Sequence, residues 1–342
     1  MRNTPKESRS CGIRRRGAFA AAICCMLLVV AGGAWAAEFT MKVGYVVPES
    51  YPHHIAAAEV MKPYIEKESG GRIEVELYPN GQLGQDRQLC ESLQLGALEM
   101  ALPSTTVFAG FIPDFQLMDL PYLFTSKEQV RKALDGEVGA LFADLARTQG
   151  LYILGYGDIG FLHISNNVRP IEKLEEAAGL KIRVMENPVS IATAKALGMN
   201  PSTMTFGEVY TALQQKVVDG QEHCINVTRN MKFNEVQKYY SLTGEAFSSI
   251  SVVVSEQFMD SLPDDLKEVV RESVRRFSAR QREVCDEQEV ANLKELKDKG
   301  LQVNELSPEE KARFIEATRS VRETYAKQLN QGLYEKILEF VK

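Results

Sequence analysis

The sequence predicts an α/β protein built as two lobes with a cleft between them. Three observations predict it. The chain opens as strand, helix, strand, helix, strand, which implies a mostly parallel sheet with helices on its faces. A second series of strands and helices follows between Leu151 and Ser255. After Pro263 the pattern changes to a long helical stretch, long enough to lie across both series.

Residues 40–47 form the first expected strand, with Met41, Val43, Tyr45 and Val47 on one face. Pro48 and Pro52 break it. Residues 54–68 have helical spacing at Ile55, Ala58, Met61, Tyr64 and Ile65; Pro63 is a potential kink and Gly70-Gly71 a stop. Residues 72–78 alternate, Ile73, Val75 and Leu77 against Glu74 and Glu76, and Pro79-Asn80-Gly81 turns the chain. Residues 86–95 read as a short helix and 98–102 as a strand. Strands are expected at 151–156, 161–165, 180–184, 239–243 and 250–255, and helices at 188–197 and 206–214. Residues 264–299 carry apolar positions at Leu266, Val270, Val274, Phe277, Val284, Leu293 and Leu296. That is one helix of roughly 50 Å, at about 1.5 Å per residue, or two abutting ones. Gly300 ends it. Ser307-Pro308-Glu309-Glu310 is a capping box that starts a terminal helix toward Phe340.

The first 36 residues are expected to lie outside the fold. Arg2, Lys6, Arg9, Arg14, Arg15 and Arg16 precede an uncharged apolar run, 17–34, and a small-residue site, Ala34-Trp35-Ala36. This is the order of a secretory signal peptide, cut after Ala36. The alternative is a membrane anchor, for which the run is at the lower edge of spanning length. No later stretch is long and apolar enough to span a bilayer, so a soluble periplasmic protein is expected. Its length allows two domains. The whole chain carries a formal charge of −6, and loss of the basic leader makes it more acidic, which argues against a nucleic-acid ligand. An anionic ligand would need a local cationic site. Three of the six cysteines lie in the leader; Cys90, Cys224 and Cys285 remain, with no close spacing and no expected disulfide.

Enzyme signatures are scarce. There is no G-x-S-x-G elbow and no phosphate-binding loop, and no C-x-x-C or H-E-x-x-H to hold zinc, so neither metal nor cofactor is expected. One G-x-G-x-x-G occurs, at 155–160, but the segment after it reads as a strand and not as the helix that would hold a pyrophosphate. It is therefore read as a turn between strands. His53 and His54 fall at a helix start and are read as surface residues.

The most informative stretch is 179–239. It contains Gly179-Leu180-Lys181-Ile182-Arg183-Val184, then Phe206-Gly207-Glu208-Val209-Tyr210, Val218-Asp219-Gly220-Gln221-Glu222 and Lys232-Phe233-Asn234-Glu235-Val236. Earlier come Gly81-Gln82-Leu83-Gly84-Gln85-Asp86-Arg87 and Asp119-Leu120-Pro121-Tyr122-Leu123-Phe124. Together these resemble the solute-binding receptors of tripartite ATP-independent periplasmic (TRAP) transporters, over nearly all of the chain beyond Thr40. The resemblance implies a type II periplasmic binding protein of two lobes with a long helix crossing both. Lobe I is expected at 37–160 and 249–288, and lobe II at 161–248 and 289–342. It also implies a receptor, expected to be monomeric and not an enzyme. Such a receptor binds a small organic anion, closes on it, and delivers it to the integral membrane permease of a TRAP transporter.

Arg183 is the leading site residue. It lies near the end of an expected strand, where open α/β sheets place ligands, and a guanidinium can pair both oxygens of a carboxylate. On its own residues the position is open between ligand and strand-end salt bridge; the resemblance assigns it to the ligand carboxylate. The family commonly has Asn-Pro after Asp-Gly-Gln-Glu, where this chain has His223-Cys224. His223 keeps a donor there and can add positive charge. A basic position at the start of the second lobe falls on His163, so two histidines are expected near Arg183. Phe206 is open between packing over the ligand and packing in the core. Asn187 is a candidate donor to a ligand oxygen. Asp86 and Ser104 match positions that bind polar ligand groups, and Asp86 could equally cap its helix. Sugar acids, hydroxy acids, dicarboxylates and phosphate esters all remain open as ligands. So do two other functions, a periplasmic enzyme using His163 or His223 as acid or base and a sensory ligand-binding module.

Overall fold

The computed structural model describes residues 37–341. The expected signal peptide and its cleavage after Ala36 lie outside the described residues. Eleven strands form two mixed sheets among those residues. They are β1 (Phe39–Gly44), β2 (Ile73–Tyr78), β3 (Met100–Ala101), β4 (Leu151–Phe161), β5 (His163–Asn166), β6 (Lys181–Val184), β7 (Asn200–Thr203), β8 (Gly220–His223), β9 (Tyr239–Leu242), β10 (Phe247–Ser255) and β11 (Gln302–Glu305). The first sheet has the order β2-β1-β3-β10-β4 and the second β11-β9-β5-β8-β6-β7.

The opening β-α-β-α-β is present, and its strands are parallel: β1 pairs with β2 and with β3. β10 inserts antiparallel between β3 and β4. All nine of its residues are buried, as expected of a strand covered on both faces. The helix predicted over 54–68 runs as Pro52–Ala56, a π-turn at Ala57–Met61, and Lys62–Glu68. The wide turn falls just before Pro63, where a proline cannot donate to an ordinary helical ladder, and it lets the helix continue.

The G-x-G-x-x-G segment is not a turn. It forms the second half of β4 and pairs with β10. Its glycines serve close packing instead. A Cβ at Gly155 would lie 2.8 Å from Val274 Cγ1, and one at Gly157 would lie 2.5 Å from Gln281 Oε1. Both partners belong to the helix Asp264–Asp298, which is unbroken over 35 residues. Leu266, Val270, Val274 and Phe277 of that helix join the core of the first sheet. Leu296 packs with Ile225, Tyr240 and Leu301 against the second. One helix thus braces both lobes, as predicted.

Two further segments cross between the sheets, Leu162 after β4 and residues 243–246 before β10. They are bonded to each other, Leu162 N donating to Ala246 O at 2.8 Å. The terminal helix divides at Leu329 and Asn330. Pro308–Gln328 starts with the predicted cap, Ser307 Oγ accepting from Glu310 N, and buries Phe314 in the second lobe. Gln331–Leu338 returns to the first sheet's side, where Leu333 and Ile337 enter the core beside the helix Glu137–Arg147.

Candidate functional site

Between the two sheets lies a cavity of about 470 Å³, its open mouth included, a size that suits a small molecule. Val46 and Val47 reach it just beyond β1, Leu102 and Ser104 beyond β3, Arg183 and Met185 at the end of β6, and His223 at the end of β8. Each follows from one topological fact, that the carboxyl ends of these strands face the cleft.

β6 alternates between an exposed Lys181 and buried Ile182, Arg183 and Val184. Arg183 is 2% exposed. Its Nε and Nη2 donate to Met204 O at 3.3 and 3.0 Å, while the buried Nη1 has no partner among the described residues. Met204 therefore holds one edge of the guanidinium and leaves the Nη1–Nη2 end free. That end can grip both oxygens of a carboxylate. Burial lowers the arginine's pKa to about 10, against the pull of Glu222, Asp86 and Glu208, so it stays charged at neutral pH.

Of the acids around it, Glu222, Glu245 and Asp119 are held toward their neutral forms, and Asp86 keeps the lowest pKa of the four. Glu222 is 5% exposed, and burial, then Glu245, push its pKa well above the carboxylate range. Burial likewise lifts Glu245 and Asp119 to about 7 and Asp86 to about 6. A Glu222 shifted toward its neutral form competes less with an incoming anion for the guanidinium.

Of the expected site residues, Arg183, His223, Phe206, Asp86 and Ser104 line the cavity together. His223 accepts a hydrogen bond from Cys224 N on Nδ1 at 3.1 Å, so its proton sits on Nε2. Burial, then Arg183, lowers its pKa to about 3. It is a neutral donor and does not add the positive charge its sequence position suggests. Phe206 is half-buried, its ring edge-on to His223 at 5.5 Å between centroids. Asp86 does not cap its helix; there Gln88 accepts from Gln85 N at 2.8 Å. Asp86 Oδ2 instead accepts a long bond from Ser104 N at 3.4 Å, and the buried Oδ1 has no partner. Ser104 Oγ lies 3.4 Å from Ser248 Oγ, also on the cavity wall.

Two expected residues are placed elsewhere. His163 sits opposite His223 in the β5–β8 register, but its Nδ1 accepts from Gly244 N at 2.9 Å and its ring packs on Tyr240. It supports the crossing segment and is not on the cavity wall. Burial, then Lys311, lowers its pKa to about 3. Asn187 is fully buried. Its Oδ1 accepts from Val189 N and Ser190 N to cap the helix Pro188–Ala196, and its Nδ2 donates to Asp119 at 2.8 Å. Its Oδ1 and one N–H of Nδ2 are thus committed to the helix cap and to Asp119.

The second histidine on the wall is His53, read from sequence as a surface residue. It is 3% exposed because the helix Asp264–Asp298 passes over it. Gln281 Oε1 accepts from Asp158 N at 2.8 Å and Nε2 donates to Asp158 O at 2.7 Å, which fixes the amide's orientation. The same Nε2 faces His53 Nδ1 at 3.3 Å, so that nitrogen is an acceptor and Nε2 of the ring carries the proton. Burial holds this pKa at about 3. The signal in the sequence was Gln281 itself, a polar residue in the apolar stripe between Phe277 and Val284.

At the mouth, Gln85 Oε1 accepts from Gly207 N at 3.1 Å, joining the first lobe to the second beside Phe206. The chain matches the family model described as bacterial extracellular solute-binding protein, family 7, over residues 43–328. It is 33% identical to the C4-dicarboxylate-binding periplasmic protein DctP of Rhodobacter capsulatus, over 86% of this chain and 89% of that one. Among solved structures it is similar to the sugar acid binding protein of Advenella mimigardefordensis in complex with galactonate, with a TM-score of 0.86 and 33% identity over 88% of this chain and 97% of that one. It is also similar to a TRAP periplasmic solute binding protein from Sulfurospirillum deleyianum with bound succinate. There the TM-score is 0.84 and the identity 35%, over 90% of this chain and all of that one.

Proposed function

The chain belongs to family 7 of the bacterial extracellular solute-binding proteins, and on that premise we propose that it captures a small organic carboxylate on Arg183 and delivers it to a TRAP-type permease. The observation that carries this is the buried guanidinium with an unpaired end in a cavity between two sheets. A buried guanidinium N–H without an acceptor is costly, and an anionic ligand relieves that cost. The relatives named for galactonate, succinate and C4-dicarboxylates support a carboxylate as the anion.

Capture proceeds by closure. The carboxylate enters the open cleft and meets the Nη1–Nη2 end of Arg183, with His223 as a neutral second donor. Contacts from both lobes favour the closed state by the ligand's differential affinity for it. Gln85 and Gly207 latch the mouth. The protein acts in the periplasm after removal of the segment ending at Ala36. The proposed lobe boundaries lie near 160, 248 and 288, and the packing of Leu333 and Ile337 beside the first sheet favours moving the helix Gln331–Leu338 from lobe II to lobe I.

A thermal-shift screen against carboxylates, sugar acids and phosphate esters tests this. A ligand at about a hundredfold excess over its Kd adds about 2.7 kcal/mol, a shift of several degrees. A shift with carboxylates that disappears in Arg183→Ala is the expected result. A shift indifferent to Arg183, or one confined to phosphate esters, would overturn the assignment.

A further inference from the structure

We infer that the preferred ligand is a singly charged hydroxycarboxylate with an alkyl body, and that Asp86 reads its hydroxyl and rejects a second carboxylate. This rests on the assignment of Arg183 to a ligand carboxylate. Three features of the cavity carry it.

The first is the charge count. Among the described residues Arg183 is the one Lys or Arg on the wall of this inner cavity; Arg87 lines only the adjoining outer cleft. His53 and His223 each use Nδ1 as an acceptor, so each presents a neutral Nε2–H. The second is Asp86. Its buried Oδ1 lacks a partner in the same cavity in which Arg183 Nη1 lacks one. A hydroxyl can donate to that oxygen and complete its hydrogen bonding. A second carboxylate finds no second cation and meets an acceptor-only group of its own sign.

The third is the rest of the wall. Val46, Val47, Leu102, Ile159, Val227 and Ile250 line it with alkyl groups. Ile159 reaches the cavity from a β-bulge in β4, where the register with β10 shifts opposite Ser248 and Ser249. Bulges re-aim side chains in this way next to sites. A ligand with a hydroxyl on every carbon would leave several of them against hydrocarbon, whereas a branched alkyl body would fill it.

Calorimetric titration with four probes tests this: α-hydroxyisovalerate, isovalerate, succinate and galactonate. Expected is tightest binding of α-hydroxyisovalerate, with isovalerate at least about tenfold weaker because Asp86 Oδ1 is left unpaired. Succinate is expected to be weaker still. In Asp86→Asn, which keeps the shape and removes the charge, succinate should gain at least about tenfold relative to α-hydroxyisovalerate. If succinate or galactonate binds the wild type as tightly as α-hydroxyisovalerate, the inference fails while the carboxylate receptor stands. If none of the four binds, the receptor assignment fails and takes the inference with it.

Discussion

Glu245 shows how a single buried residue ties this site to pH. Its carboxyl is 2% exposed, accepts from Thr243 Oγ1, and is lifted by burial to about 7. The folded state thus holds this proton more tightly than the unfolded chain, where the ordinary value is about 4.3. The stability that this contributes is present below the unfolded value and is lost as pH rises through about 7. In Glu245→Gln that slope vanishes. The melting temperature of the variant relative to wild type should therefore move in its favour by a few degrees between about pH 4 and pH 8. A difference that stays flat across that range would contradict the buried-acid account. The histidines work in the opposite sense: His53, His163 and His223 have lowered values, so their contribution is lost as pH falls from about 6.5 toward 3. The place of Arg183 at a strand end was legible from sequence, but the residues alone left it open between ligand and salt bridge, and the family resemblance assigned it to the ligand. The neutrality of His223 was not legible, since it depends on burial and on the Cys224 N–H.

At the scale of elements, the glycines of β4 and the helix Asp264–Asp298 act as one unit. The strand carries glycine where the helix comes closest, and Gln281 uses that space to bond both the N–H and the C=O of Asp158. Gly157→Ala puts a methyl group at 2.5 Å from Gln281 Oε1, so the amide must move and give up those bonds. A destabilisation of about 1–3 kcal/mol is expected, read as a lower urea midpoint with unchanged slope. An unchanged midpoint would mean that the glycine has no packing role. The same unit explains two departures from the sequence expectations. Glycine spacing looks like a turn when the helix it accommodates lies more than a hundred residues away in the chain. His53 looks exposed for the same reason. β8 went unrecognised because Gly-Gln-Glu-His carries no alternation, yet all four residues are buried inside the second sheet. The long helix itself was readable from its apolar spacing, and the parallel opening from β-α-β order.

At the scale of the molecule, two bonded crossing segments and one long helix connect the sheets, and the Gln85–Gly207 contact joins the lobes beside Phe206. Connecting segments and a contact between the lobes are what the proposed closing motion needs. Within the cavity the Arg183 guanidinium Nη1 has no partner among the described residues and the histidines are neutral, while Glu222, Glu245 and Asp119 outside its wall are held toward neutrality. The proposed function rests on this guanidinium gripping a carboxylate through two parallel hydrogen bonds. The most direct measurement is the Kd of a carboxylate that binds the wild type, compared with Arg183→Lys by calorimetry. Lysine keeps the charge and loses the fork, so the account predicts weakening of roughly a hundredfold or more. A lysine variant that binds within about threefold of wild type would show that charge alone suffices, and the two-bond clamp at Arg183 would be wrong.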